Sequence, residues 1–344
     1  MKQVIKGMII FFSLLLLGLV GLLAYGLTRG TDGLFLAGSS NRFSGISLVS
    51  TQTFELTDVS MIAIKNYSSD IFFLPSDDET LVVKEYVSNK RTQSPFVTVK
   101  HSGYRLNIEA DRYNSSSWIV FGSNYRCIEI YLPASYRNEL KAETGSGDIF
   151  SDLDLTFTKC SLTGSSSDIS LAGLTAETVS VTTSSGDILI ERLNGEKKIE
   201  TQSGTVSIGG GSGDAEISSS SGDIKLEGIE GHVRINTASG DMWVNDLTGS
   251  ADAASSSGDI RLMFASLTGN LDIESSSGTV YCELPKDISF KFHADTSSGD
   301  IRTYFDDTLS FNRRGTQAEG EVGDLPDLKA TVKTSSGDIK FIGK

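Results

Sequence analysis

Apolar and polar residues alternate in short stretches along most of this chain, and the stretches come back at a fixed interval. Between Gly222 and Gly240, Ile224 and Leu226 alternate with Asp223 and Lys225, Ile229 stands between Gly228 and Gly231, and Val233 and Ile235 alternate with Arg234 and Asn236. A period of two marks strands with one buried face. No stretch of this unit has helical periodicity, and glycines separate its apolar runs. The tetrapeptide Ser-Gly-Asp-Ile or a close variant closes each unit. Taking its Asp or Thr as marker, the copies are Asp148, Asp168, Asp187, Thr205, Asp223, Asp241, Asp259, Thr279, Asp300 and Asp338, with steps of 20, 19, 18, 18, 18, 18, 20, 21 and 38.

A period near 18–20 residues is the signature of a repeat that cannot bury its apolar face alone and must stack on its neighbours. The expected fold is all-β: a single-stranded parallel β-helix (β-solenoid) of about 18–20 residues per coil, preceded by one transmembrane helix. The final step of 38 reads as two periods with one degenerate turn. In the turns, glycine tolerates positive φ and aspartate accepts hydrogen bonds from nearby amides. The column Asp148, Asp168, Asp187, Asp223, Asp241, Asp259, Asp300 and Asp338 is thus read as a structural repeat-turn ladder, with cation contact as the functional alternative. Aligned carboxylates repel unless each is hydrogen-bonded or neutralised.

The remaining organisation follows from the pattern. Residues 1–6 read as a cytoplasmic tail and 7–27 as a transmembrane helix, since 21 apolar residues span roughly 30 Å and Lys2 and Lys6 precede them. A cleaved signal peptide is the rival reading. Residues 28–45 read as a tether, 46–142 as an irregular β N-terminal cap with the first coils, and 143–344 as the regular solenoid with a loop inserted at 305–325. The localisation expected from this is the cell membrane, single-pass, with the N-terminus cytoplasmic and the C-terminal domain extracytoplasmic. Aromatics around 111–126, namely Tyr113, Trp118, Phe121 and Tyr125, suit partner contact; a hairpin covering the cap is the plainer reading.

Charge and candidate chemistry narrow the function. Of 344 residues, 30 are basic and 44 acidic, for a net charge of −14, so nucleic acid is not an expected partner. Cationic partners are favoured. The histidines His101, His232 and His293 lie far apart, and Gly209–Gly213 lacks the Lys-Ser/Thr of a phosphate loop. Glycan hydrolysis would need paired carboxylates; acidic pairs such as Asp152 with Asp154 and Asp306 with Asp307 exist, and nothing singles them out. Cys127, Cys160 and Cys282 read as buried small hydrophobes rather than a disulfide framework. No catalytic residue, cofactor or metal site is expected.

The recurring Ser-Ser-Gly-Asp-Ile, the strand ending Tyr131-Leu132-Pro133 before the repeats, and the closing Thr334-Ser335-Ser336-Gly337-Asp338-Ile339 resemble the bacterial putative-adhesin family of β-strand-repeat proteins, whose function is unknown. The resemblance covers roughly residues 55–344. It implies a β-solenoid exported or displayed at the cell envelope, with some relatives linked to envelope-stress and antimicrobial-peptide responses, and no catalytic residues to carry over. The expected function is a non-catalytic, membrane-anchored extracytoplasmic binding, adhesion or scaffold protein, whose partner is an envelope protein, a glycan or a cationic peptide. Self-assembly into a homo-oligomer through an uncapped C-terminal coil is the alternative, and a glycan-active β-helix enzyme the lesser one.

Overall fold

The computed structural model describes residues 46–88, 94–111, 125–305, 309–324 and 326–344. They form one all-β unit within Gly45–Lys344. The alternation seen in the sequence becomes alternation of burial: Met242–Ser257 runs buried, exposed, buried from its first residue. The marker isoleucines and their equivalents lie side by side in parallel register, Ile149 on Ile169, Ile188, Val206, Ile224, Met242, Ile260 and Val280 in turn. All of them are buried. Each amide after a marker closes the stack by donating to the marker carbonyl of the next winding, as Ile224 N does to Asp241 O at 2.9 Å.

The expected fold class needs correction in three respects. First, the ladder closes on itself. Ile169–Thr182 pairs through its first half with Ile188–Ile190 and through its second with Leu193–Thr201, and both series rejoin at Met242–Ser257, giving a closed barrel of eight parallel strands rather than a simple single-stranded helix. A repeat length says how far along the chain the next pairing partner lies. It does not say that one long strand bends across two faces of the body, as these two do.

Second, no helix occurs among the described residues, and none is long and apolar enough to cross a membrane. The preceding transmembrane helix therefore has no support; the stretch 7–27 itself lies outside the described residues, as do 1–6 and 28–45.

Third, the order of windings departs from chain order at both ends. Leu328–Ser336 lies between Ile260–Ser277 and Phe290–Ser298, and Ile339–Gly343 between Val280–Leu284 and Ile301–Thr303. The step of 38 is thus not a skipped turn: the last winding is slotted into the interior of the stack. Nor is 305–325 a plain loop. Gln317–Val322 returns antiparallel along Phe290–Ser298, and Phe290, Phe292, Phe305 and Phe341 pack with ring centroids as close as 4.8 Å. The C-terminal strand is interior, so the basis for stacking through an open C-terminal coil is lost.

At the other end, Ser47–Glu55, Thr80–Val87 and Val97–Ser102 add antiparallel strands to the parallel ladder. Glu85 is fully buried there, and its Oε2 accepts the amides of Phe96 at 2.7 Å and Val97 at 2.9 Å.

The corner glycines are required mainly by contact between windings. A Cβ on Gly186, Gly204, Gly222, Gly240 or Gly337 would come well inside 3.0 Å of a backbone carbonyl oxygen in the adjacent winding. None of these five has its φ in the left-handed range, so close approach and not positive φ excludes a side chain. Gly258, at φ +142°, combines both constraints. Ser167 occupies the same place in its winding and is buried.

Candidate functional site

The corner that brings the glycines together also files the marker aspartates along one edge of a sheet face. Each uses one carboxylate oxygen to hold the next winding: Asp148 Oδ1 accepts the Asp168 amide, Asp168 that of Asp187, Asp187 that of Thr205, Asp223 that of Asp241, Asp241 that of Asp259 and Asp259 that of Thr279, at 2.7–3.0 Å. Asp70 extends the file to Asp148, and Asp338 accepts from Asp300. The threonines at 205 and 279 receive such a bond but have no carboxylate to pass on. The second oxygen is left to the surface at Asp168, Asp187, Asp241, Asp259 and Asp338, all of them exposed, while the exposed Asp300 turns its Oδ2 to Arg302. Asp148 is the one whose carboxyl is pushed up, chiefly by burial and further by the neighbouring charges of Asp70 and Asp168, against the pull of the Asp168 amide.

Two residues after each marker, on the same outer face, a second column runs parallel to the first. In spatial order it reads Phe72, Phe150, Ser170, Leu189, Ser207, Lys225, Trp243, Arg261, Tyr281, Lys340 and Arg302. Its first part is apolar or small, with Phe72 and Phe150 stacked at 5.2 Å. From Lys225 to Lys340 it alternates cation and ring, and Arg302 ends it with a second cation. The Arg261 guanidinium lies 4.9 Å from the Tyr281 ring and 5.8 Å from that of Trp243, and Lys340 Nζ lies 5.6 Å from Tyr281. Trp243 is 49% exposed, and the Tyr281 hydroxyl is tied to Glu283 at 2.9 Å. A shallow cavity of about 290 Å³ beside Trp243 is lined by Ser207, Lys225, Glu227 and Asn245.

These cations stand apart from those on the opposite sheet face. There, Lys141, Lys198, Arg234 and Lys333 each meet a carboxylate, at 2.7, 2.9, 3.0 and 3.7 Å. Among the described residues Lys225, Arg261 and Lys340 have no carboxylate within 4.0 Å; in this column only Arg302 does, pairing with Asp300 at 3.4 Å. Arg261 and Lys340 instead turn along the column onto the rings, which leaves the acidic file beside them unneutralised.

Of the residues singled out from sequence for partner contact, Tyr113, Trp118 and Phe121 lie outside the described residues. Tyr125 is half-buried, and its phenol is pushed up by burial and by a hydrogen bond with Asp70, so it supports the edge of the aspartate file. Asp154 pairs with Arg192, while Asp306 and Asp307 lie outside the described residues. The three cysteines are free and buried, with Cys127 and Cys160 each pushed up to about 12, first of all by burial. No group of three or more His, Cys, Asp or Glu placed to hold a metal occurs among the described residues. The cation–aromatic column was not singled out from the sequence. Its signal is the residue two places after each marker, Lys-Trp-Arg-Tyr through four successive units from 225 to 281.

With the corners, the aspartate file and the parallel register in place, the class is that of an all-β repeat protein carrying its chemistry on a sheet face. The chain belongs to the Toastrack DUF4097 family, whose model matches residues 59–232 and 214–341. Similar solved structures include a putative adhesin from Parabacteroides distasonis, at 11% identity over 86% of this chain and 97% of that one with a TM-score of 0.44. A putative lipid binding protein from the same organism is 16% identical over 85% of this chain and 96% of its own, with a TM-score of 0.35. A putative cell adhesion protein from Clostridium sporogenes is 12% identical, covering 86% and 98%, with a TM-score of 0.26. No curated protein matches the chain.

Proposed function

We propose that this chain is a non-catalytic binding protein of the cell envelope that engages its partner through the face bearing the aspartate file and the cation–aromatic column. The observation that carries this reading is the set Lys225, Arg261 and Lys340. They are three cations with no ion pair among the described residues, two of them, Arg261 and Lys340, held against exposed or half-exposed rings, in a chain of net charge −14. Interface cores favour Trp, Tyr and Arg because these present large, ordered contact area at low entropic cost. An isolated cation in an acidic protein is otherwise drawn to the nearest carboxylate.

The test is pelleting of the full chain with isolated bacterial envelopes. Replacing Trp243 and Tyr281 together by alanine, or Lys225, Arg261 and Lys340 together by aspartate, should weaken binding at least tenfold. Binding equal to that of the unaltered chain in both variants would refute the assignment of this face.

A further inference from the structure

We infer that the partner this face accepts is a second copy of the same chain, lying face to face and parallel; this rests on the binding face assigned above and names its occupant. The two columns are stripes of opposite sign, two residues and therefore roughly 7 Å apart along each strand. From Lys225 to Arg302 they run together over six successive windings, about 24 Å at the usual strand spacing. The same winding supplies both members: Asp223 with Lys225, Asp259 with Arg261, Asp338 with Lys340 and Asp300 with Arg302.

A two-fold axis laid in the contact plane, between the stripes and along the stack, exchanges them without any shift along the stack. It sets the acidic file of each copy on the cationic column of the other. The four pairs then recur across the interface in register, and Asp241 of each copy meets the edge of the other's Trp243, the positive rim of the ring. Such an interface is isologous, the ordinary geometry of a dimer. The charge pattern also selects the direction. An axis across the stack would place each stripe on its own image, carboxylate on carboxylate and cation on cation, so antiparallel pairing is repelled. The column before Lys225, with Phe150 and Leu189, has no charge to exchange, which confines the contact to the C-terminal half of the face. The patch is smaller than that of a standard stable interface, so the association is weak and salt-sensitive.

Sedimentation equilibrium of the full chain tests this, alongside the triple variant Lys225→Asp, Arg261→Asp, Lys340→Asp. These substitutions leave the aspartate–amide hydrogen bonds in place, and a thermal melt confirms that the variant folds. A second variant, Asp223→Lys, Asp259→Lys, Asp338→Lys, carries the opposite change. The unaltered chain should dimerise reversibly at low ionic strength and dissociate in 0.5 M salt on the order of tenfold more readily. Each variant alone should be at least tenfold weaker in self-association, and an equimolar mixture of the two should regain a dimer. A monomeric unaltered chain at low salt, or a triple variant that associates as well as the parent, would overturn the inference. If the parent stays monomeric while the same triple variant loses envelope binding, the binding face stands and only its occupant is wrong; if neither measurement changes, both readings fail.

Discussion

Gly222→Ala separates two reasons for a corner glycine. Its φ lies outside the left-handed range, so alanine adopts the backbone without strain; its Cβ, however, would come well inside 3.0 Å of Gly204 O. That oxygen belongs to the backbone of the adjacent winding and cannot swing aside, so the two windings must part at the corner. The bonds nearest the overlap are Val206 N to Asp223 O at 2.9 Å, Ser221 N to Gln202 O at 2.9 Å, and Gly222 N to Ser219 Oγ at 2.8 Å. At about 1 kcal/mol net for each hydrogen bond, losing all three costs about 3 kcal/mol, at the upper end of what overpacking a well-filled interior costs. For a body of this size that lowers Tm by about 5–10 °C. The control is Gly103→Ala, where φ is +61° and an added Cβ meets nothing within 4 Å. There only the conformational cost applies, about 1 kcal/mol. Circular dichroism melts of both variants decide the matter. A Gly222→Ala protein as stable as the parent, or more stable than Gly103→Ala, would refute the close-approach explanation.

Other consequences follow from buried groups. Glu85→Ala removes the acceptor of two buried amides, Phe96 and Val97, and should cost about 3 kcal/mol in chemical denaturation, with Glu85→Gln recovering part of it. Lys197 is 2% exposed, donates to Ser212 O at 3.1 Å and Gly213 O at 2.8 Å, and has its ammonium pushed down to about 8 by burial, against the opposing pull of Asp214. Between pH 8 and 10.5 the unfolded chain holds that proton and the folded one does not, so the contribution of Lys197 to stability should rise with pH across this window, by about 3 kcal/mol, against the fall caused by the three buried thiols, which lose their protons there only in the unfolded chain. In Lys197→Met the rise should vanish. Native Cys127, Cys160 and Cys282 should resist thiol reagents at pH 8 and react fully once the chain is unfolded, since burial holds all three as protonated thiols.

What could be read from the residues was the part that repeats. The apolar pair around each marker gave the buried column from Ile149 to Val280, and the spacing of 18–20 gave the neighbour of each winding there. Two things escaped for physical reasons. The corner glycine looks like a conformational device in any one winding, and its real constraint, the carbonyl of the next winding, exists only after stacking. The place of the last winding is also non-local: nothing in Asp300 or Asp338 states which of them adjoins Thr279, because a segment returning after the excursion at 304–327 pairs with whichever strand edge it reaches. That choice decides the proposed binding face, since it puts Lys340 rather than Arg302 against Tyr281. The alternation Lys-Trp-Arg-Tyr was visible as residues, but as a stripe only once the register was known. Lys197, by contrast, sits among polar neighbours in sequence, and no local pattern marks it as buried.

Engineered disulfides test the order of windings on which that face depends. Neighbouring strands lie about 4.8 Å apart, within reach of a disulfide, and next-but-one strands lie at about twice that, beyond it. The pairs Tyr281→Cys with Lys340→Cys, and Lys340→Cys with Arg302→Cys, should therefore oxidise readily in the folded chain, and Tyr281→Cys with Arg302→Cys should not. Fast closure of the 281–302 pair with none at 281–340 would mean that the windings follow chain order and that the striped face does not exist as described.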